Sequence, residues 1–218
     1  MKSAQALSKQ HKLWASGRFA KDYARRNWYS IRKLDGAIYK NLGVTRSAIN
    51  KKFLRGIPKS ARILEIGCNA GHNLLHLQTM GYKNVYAIEL NPTVVELAKK
   101  RVPGAQIIQG DALDVPFKDG FFDLVFTSGV LIHIAPRHRR RVMAEIYRVS
   151  RKYIWGFEYF APRSTEIPYR GRRNVLWKAP FAKLYRQAFP DLHLMREKKY
   201  PYVASTNVDQ AFLFKKQK

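Results

Sequence analysis

The sequence has little cysteine, few acidic residues and no long apolar run. The only cysteine among 218 residues, Cys68, excludes an intrachain disulfide, a CxxC redox pair and a zinc site made of several cysteines. No apolar run reaches the roughly 18 residues of a membrane helix, and the first twenty residues lack the apolar stretch of a secretory signal. We therefore predict a soluble, cytoplasmic protein without membrane insertion and without a metal site.

Acidic residues are scarce relative to basic ones. Fifteen Asp plus Glu oppose 41 Lys plus Arg, and the formal net charge is +26. The excess lies at the two ends, because residues 61–135 carry nearly equal numbers of both signs. A field of this size attracts polyanions. The charge favours an anionic substrate and makes RNA a candidate partner of the basic N- and C-terminal flanks, whereas the alternative is an ordinary solvated basic surface.

After Pro58 the apolar pattern alternates between short buried strands and helices. This βαβ alternation predicts an α/β fold with a doubly wound, mostly parallel seven-stranded sheet. Two final strands, Leu192–Lys199 and Val208–Phe214, are expected to close one sheet edge as a hairpin. Residues 1–58 are predicted to form a basic helical arm that closes over the site, and residues 59–218 the main domain.

The strongest local motif is the glycine-containing turn Leu64–Gly71, which joins a predicted strand to a predicted helix. Such a turn lets the backbone approach a ligand at the carboxyl edge of the sheet. Asn69 and His72 stand where a dinucleotide fingerprint requires glycine, so a nicotinamide cofactor is disfavoured. Glu89 and Asp111 end the next two strands, where carboxylates can bind ribose hydroxyls and an adenine amine. Ordinary strand-end charges are the alternative for both.

Over Ala61–Glu158 these motifs resemble the class I S-adenosylmethionine-dependent methyltransferases. The resemblance implies a Rossmann-like methyltransferase fold and S-adenosyl-L-methionine as the cofactor. It also implies that Glu65 and Gly67 border the methionine part, that Glu89 binds the ribose, and that Asp111 and Ala112 flank the adenine. The remaining predicted cofactor contacts are Cys68, Asn69, Gly71 and Ser128.

A more specific resemblance spans most of the chain and is to the methyltransferases associated with pseudaminic acid biosynthesis. Its tracts are Trp14, Gly17, Phe19, Tyr23 and Arg26-Asn27, then Gly67–Asn69, Gly129–Ile134, Glu158-Tyr159 and Glu166–Gly171. It implies an anionic acceptor, a sugar acid or a nucleotide-sugar intermediate. Arginine presents a planar fork to carboxylate or phosphate. The predicted substrate contacts are Tyr23, Asn27, Tyr159, Tyr169 and Arg170.

The tract after the fourth strand, Thr127–Val130, bears on the acceptor atom. It lacks the Asn/Asp-Pro-Pro-aromatic sequence that holds a planar amine, so methylation of the amino group of adenine or cytosine is disfavoured. Methylation of a pyrimidine at carbon 5 normally uses a cysteine nucleophile, and the only cysteine, Cys68, lies in the cofactor loop. A hydroxyl or carboxylate acceptor is therefore favoured. His133 is the predicted general base because its ordinary pKa lies near neutrality. Glu158, at the end of the fifth strand, is the second predicted catalytic residue. Purely structural roles are the alternative for both.

Two other functions compete with a small-molecule methyltransferase. An RNA methyltransferase acting on rRNA or tRNA is favoured by the charge and by aromatic residues interleaved with basic ones near the N-terminus. A non-catalytic methyltransferase-fold subunit of a ribonucleoprotein belongs to a different class of function. A subunit that serves only as a scaffold would not need the predicted cofactor contacts Glu89 and Asp111, so we favour an enzyme.

Overall fold

Four helices precede the sheet in the computed structural model, which describes residues 9–15, 18–26, 28 and 30–217. They are α1 (Lys9–Ala15), α2 (Arg18–Arg26), α3 (Ile31–Leu42) and α4 (Arg46–Phe53). The hydroxyls of Ser30 and Thr45 begin α3 and α4, since each accepts a backbone N–H of the first turn. Gly43 ends α3 in the left-handed conformation that favours glycine.

Strands and helices then alternate along the rest of the chain. The elements are β1 (Ile63–Ile66), α5 (His72–Thr79), β2 (Val85–Glu89), α6 (Pro92–Arg101), β3 (Gln106–Gln109), β4 (Phe122–Ser128), a 3₁₀ turn (Leu131–His133), α7 (Pro136–Val149), β5 (Ser150–Tyr159), β6 (Thr165–Glu166), β7 (Trp177–Lys178), α8 (Phe181–Ala188), β8 (Leu192–Pro201) and β9 (Val208–Lys216). None of the helices in the described ranges has the length and apolar content to span a bilayer.

Seven of the strands form one sheet in the order β3-β2-β1-β4-β5-β9-β8. The strands from β1 to β5 are parallel, whereas β9 runs antiparallel to both β5 and β8. This topology confirms the predicted doubly wound sheet with a hairpin at its edge. Because β9 is reversed, its first residues lie at the edge where the parallel strands end, and Asp209 pairs with Tyr159.

The core covers both faces of the sheet. One face packs against α4, α5 and α6, and the other against α7 and α8. Ile49 and Phe53 of α4 belong to the same core as β1, so this part of the first 58 residues packs directly with the sheet. Between β5 and β9 the packing is tight, because a Cβ on Gly156 would lie 2.1 Å from Cζ of Phe212.

Candidate functional site

Two adjoining cavities open at the carboxyl edge of the parallel strands. The β2–β3 cavity has a volume of about 170 Å³, and its lining includes Glu89, Leu90, Asp111, Ala112, Val130 and His133. The β5–β9 cavity has a volume of about 290 Å³, and its lining includes Arg46, Glu65, Cys68, Tyr159, Tyr202 and Asp209. Both are lined by Tyr23, Gly67, Asn69, Ser128 and Gly129. One continuous cleft thus contains most of the residues predicted from the sequence.

The turn after β1 forms the floor shared by the two cavities. Gly67 has a φ of +70°, and a Cβ there would lie 2.9 Å from Cγ2 of Val130. Only glycine therefore allows the turn to approach the loop after β4 this closely. Asn69 has a φ of +49° and donates its backbone N–H to Oε2 of Glu89 at 3.0 Å. This hydrogen bond joins the turn to the end of β2.

Gly71, a predicted cofactor contact, has a role in helix packing. It lines neither cavity and begins α5 with a φ of +76°. A Cβ at this position would lie 2.6 Å from Cγ2 of Val102, next to the end of α6. Close packing of α5 on that segment therefore accounts for a glycine at this position.

The carboxylate of Glu89 is held by backbone donors at the wall of the β2–β3 cavity. Oε2 accepts the N–H of Asn69, and Oε1 accepts the N–H of Asn91, each at 3.0 Å. Burial raises the pKa of Glu89, and these backbone hydrogen bonds oppose the rise. Each carboxylate oxygen can accept a further hydrogen bond. Glu89 is thus positioned to bind two hydroxyls in this cavity.

Helices α1 and α2 cover the β2–β3 cavity. His11 places Nε2 2.7 Å from Oδ2 of Asp111, whose Oδ1 accepts the N–H of Leu113. The Trp14 ring lies 4.6 Å from the ring of His133 and 5.2 Å from that of Tyr23. The cavity is therefore roofed by residues of the N-terminal helices. Asn27, a predicted substrate contact, lies outside the described residues.

His133 lies in the wall of the β2–β3 cavity. Its Nδ1 donates to the carbonyl oxygen of Val175 at 2.8 Å, because a carbonyl can only accept. Burial lowers the pKa of His133 to about 4, so the ring is neutral at pH 7. A group with this pKa is a poor general base at neutral pH. The position matches the structural alternative for this residue.

Glu158 has no contact with either cavity. Its two carboxylate oxygens accept the backbone N–H groups of Val130 and Ile132, at 3.1 and 3.3 Å. Burial raises the pKa of Glu158 to about 7. Its carboxylate points into the loop after β4, so we revise its role from catalysis to positioning that loop.

The predicted substrate contacts after β5 separate into two groups. Tyr159 lines the β5–β9 cavity, and its ring packs edge-on against that of Tyr202, with 6.4 Å between the ring centroids. Tyr169 and Arg170 line neither cavity. Tyr169 packs 5.6 Å from the His133 ring, and Arg170 is exposed at the tip of a turn closed by Tyr169 and Arg172. This turn therefore contacts His133 but does not line the cleft.

Sequence analysis missed Arg46, which is 3% exposed in the wall of the β5–β9 cavity. Its Nε donates to Asn50 and its Nη1 donates to Oγ of Ser128, at 2.9 and 3.0 Å. Its Nη2 has no hydrogen-bond partner in the described ranges. The rings of Trp155 and Phe157 lie 5.2 and 4.6 Å from the guanidinium carbon. Burial lowers the pKa of Arg46 to about 10, so it remains charged at pH 7.

Two buried carboxyl groups face the same cavity. Glu65 accepts a hydrogen bond from Asn73 at 2.6 Å through Oε1, and Asp209 accepts one from the Tyr202 hydroxyl at 3.3 Å through Oδ2. The other oxygen of each has no partner among the residues described. Burial raises the pKa of Glu65 to about 8 and that of Asp209 to about 7. Buried polar atoms are rarely left unsatisfied in proteins, so these two oxygens are available to a polar group that enters the cavity.

Cys68 also lines the β5–β9 cavity. Burial raises the pKa of its thiol well above the usual range, and the nearby Glu65 and Glu89 raise it further. Since a thiolate is the reactive form, Cys68 is a poor nucleophile. The position therefore supports the argument against cysteine-dependent methylation of a pyrimidine carbon.

Residues 64–153 match the family described as a methyltransferase domain. Among curated proteins, the chain is 32% identical over 93 residues to an uncharacterized methyltransferase of Synechocystis sp., covering 43% of each chain. It is 36% identical over 93 residues to the phthiotriol/phenolphthiotriol dimycocerosates methyltransferase of Mycobacterium tuberculosis, covering 41% of this chain and 34% of that one. The chain spans less than half the length of these two relatives.

Solved structures with similar folds cover more of the chain. The 1,6-didemethyltoxoflavin-N1-methyltransferase of Burkholderia thailandensis, solved with bound S-adenosylhomocysteine, superposes with a TM-score of 0.66 and 16% identity over 91% of this chain and 85% of that one. The PH0226 protein of Pyrococcus horikoshii gives a TM-score of 0.60 and 18% identity, covering 83% and 95%. These similarities confirm the predicted Rossmann-like methyltransferase fold.

Proposed function

We propose that this chain, with its methyltransferase domain at residues 64–153, transfers a methyl group from S-adenosyl-L-methionine to an anionic acceptor. The acceptor is a sugar acid or a nucleotide-sugar intermediate. The observation that carries this acceptor class is Arg46, a buried cation with an unpartnered Nη2 in the β5–β9 cavity. Glu65 and Asp209 lie near enough to act on the Arg46 charge, but neither accepts a hydrogen bond from Nη2. A buried donor without an acceptor is costly, and an anion in the cavity would offset that cost.

The cleft fits the cofactor in two parts. Glu89 can bind the ribose hydroxyls in the β2–β3 cavity, and Asp111 with Ala112 can flank the adenine. Gly67 and Glu65 can border the methionine part of the cofactor, and the unpartnered Oε2 of Glu65 can accept a hydrogen bond from the ammonium group of that part. When bound, the cofactor supplies a methyl group activated by its attachment to a sulfonium.

The rest of the site positions the acceptor and excludes water. Trp14 and Tyr23 roof the cleft, and Arg46 can hold the anionic group of the acceptor from the opposite side, where Ser128 fixes its guanidinium. Methyl transfer needs the acceptor atom in line with the methyl carbon and the sulfur. Positioning of this kind provides a large part of the rate acceleration in two-substrate reactions.

The test measures cofactor and acceptor binding separately. Calorimetric titration with S-adenosylhomocysteine reports on the cofactor site, and radiolabelled methyl transfer is assayed with N-acetylneuraminate, CMP-N-acetylneuraminate and UDP-glucuronate, with methyl glucoside as the neutral comparison. We expect transfer to at least one of the three anionic sugars and none to methyl glucoside.

Arg46→Met should raise the KM for the anionic acceptor roughly 10- to 150-fold, as expected for the loss of a charge-assisted hydrogen bond. Affinity for S-adenosylhomocysteine should change less than threefold. Arg140→Met, at an exposed position of α7, is the matched control. If the cofactor affinity falls and the acceptor KM does not, Arg46 binds the methionine carboxylate and the case for an anionic acceptor is lost.

A second candidate, methylation of RNA, is favoured by exposed arginines at the rim of the β2–β3 cavity. Arg141 donates to the carbonyl of Leu113, and Arg137 donates to His138; Leu113 and His138 both line the cavity. Phosphate contacts make affinity steeply dependent on salt, with a slope near one per neutralised phosphate. Methyl incorporation into an RNA that stays bound at physiological salt would favour this function. Failure to bind S-adenosylhomocysteine would instead favour the non-catalytic scaffold.

A further inference from the structure

The reversed strand β9 brings a carboxylate to the acceptor side of the cleft. Asp209 is the second residue of β9 and lies opposite Tyr159 at the end of β5. It is 2% exposed and lines the β5–β9 cavity. Oδ2 accepts the hydroxyl of Tyr202, and Oδ1 has no partner in the part of the chain that the structure describes. Asp209 therefore has one oxygen anchored and one available to a ligand.

The other titratable groups of the cleft are poor proton acceptors for an acceptor bound in this cavity. Glu158 lines no cavity, and backbone donors occupy both of its oxygens. Burial raises the pKa of Glu65 in the ligand-free protein, and in the proposed function the ammonium group of the cofactor occupies its free oxygen. Burial lowers the pKa of His72 to about 3 and that of His133 to about 4. Asp209 is the remaining general base that lines the β5–β9 cavity.

We infer that Asp209 accepts a proton from the methyl acceptor, and that the reacting group of the acceptor is a hydroxyl. This inference rests on the proposed methyltransferase function. A carboxylate acceptor would already be ionised and would need no base, so a base at this place favours an ether product over an ester. The hydroxyl of Tyr202 holds the carboxylate in position, and the ring of Tyr202 packs against that of Tyr159.

The step balances in atoms and in charge. The hydroxyl oxygen forms a bond to the methyl carbon while the carbon–sulfur bond breaks, and that electron pair remains on sulfur. The hydroxyl proton goes to Oδ1 of Asp209. A sulfonium and a carboxylate thereby become a neutral thioether and a neutral carboxylic acid, which lowers the charge separation in a buried site.

The surroundings of Asp209 set the pH dependence of this step. The pKa of Asp209 is raised to about 7, mainly by burial and also by Glu158 on β5, and the hydrogen bond from Tyr202 opposes the rise. The cations Arg46 on α4 and Lys178 on β7 also lower it. A base must be ionised to act, so the rate should rise as the pH passes through about 7. A pKa near the working pH is the best match for general base catalysis.

The first test needs no acceptor. The protein is labelled with ¹³C only at the carboxyl groups of its aspartates and titrated by NMR, so that Glu65 and Glu158 give no signal. One carboxyl signal should titrate between pH 6 and 8 and should be missing in Asp209→Asn. Its midpoint should be lower with S-adenosylmethionine than with S-adenosylhomocysteine, because the sulfonium carries a positive charge. Absence of such a signal from the wild-type spectrum would overturn the inference even if the cofactor binds.

The second test uses whichever anionic sugar is methylated. Asp209→Asn should lower kcat roughly 100-fold or more, remove the rise in rate near pH 7 and leave the affinity for S-adenosylhomocysteine within threefold. Asp209→Glu should recover part of the rate, and Asp119→Asn, at an exposed carboxylate, is the control. A methyl product released by mild base is an ester and would contradict the inference, as would an unchanged pH profile. If S-adenosylhomocysteine does not bind, the proposed function fails instead.

Discussion

Glu65→Gln should change how the stability of the ligand-free protein depends on pH. Burial raises the pKa of Glu65 from an ordinary value of 4.5 to about 8. A carboxyl with a raised pKa favours the folded state below pH 4.5, and this stabilisation is lost progressively as the pH rises towards 8. Between pH 5 and pH 7 the loss from one such group is about 2.5 kcal/mol, taking roughly 1.36 kcal/mol for each pKa unit.

The variant should not show this loss, because glutamine does not titrate. Urea unfolding at pH 5 and pH 7, followed by circular dichroism, gives the free energy of unfolding of each protein. The difference between Glu65→Gln and wild type should grow by about 2.5 kcal/mol from the lower to the higher pH, or roughly 5–10 °C in Tm. Comparing two pH values cancels the constant effect of replacing an oxygen by an amide nitrogen.

Glu96→Gln makes the same chemical change at an exposed position of α6, where Glu96 pairs with Lys99, and it should show no such growth. If Glu65→Gln also shows none, Glu65 is ionised in the ligand-free protein. The β5–β9 cavity would then be better solvated than its burial indicates.

Two further predictions concern the cofactor and the packing of the sheet. Glu89→Gln should weaken S-adenosylhomocysteine binding roughly 10-fold or more, and calorimetry giving wild-type affinity would refute the ribose contact. Gly156→Ala should destabilise the fold by about 1–3 kcal/mol or more, because its Cβ would lie 2.1 Å from Cζ of Phe212. Adding Phe212→Leu to the Gly156→Ala variant should restore part of the lost Tm. If the Tm does not recover, the clash with Phe212 is not the cause of the destabilisation.

The cofactor half of the site could be predicted because its signals are local. Gly67, Glu89 and Asp111 each follow or end a strand, and parallel strands carry their carboxyl ends to one edge. That rule alone brings Gly67 and these carboxylates together, as the β2–β3 cavity shows. The same local pattern includes Gly71, which lines neither cavity, because the sequence does not distinguish a glycine needed for helix packing from one that borders a ligand.

The acceptor half depends on contacts that local patterns do not contain. Glu158 and Tyr159 are neighbours, and adjacent residues of a strand face opposite sides, so only Tyr159 reaches the cavity. Nothing in the sequence distinguishes Arg46 from the other 40 Lys and Arg residues, since its burial depends on the rings of Trp155 and Phe157. The strand of Asp209 was predicted, as Val208–Phe214 in a hairpin at a sheet edge, but its place beside β5 was not.

The reversal of β9 also divides the chain into two parts that can change independently. The proposed cofactor contacts lie between Glu65 and Ala112, whereas one wall of the β5–β9 cavity comes from a single hairpin, Leu192–Lys216, at the sheet edge. An edge hairpin can be exchanged as a unit without breaking the register of the central strands. Specificity for new acceptors can therefore evolve, or be engineered in chimeras, by replacing the tip around Tyr202 and Asp209 while the cofactor half is inherited unchanged.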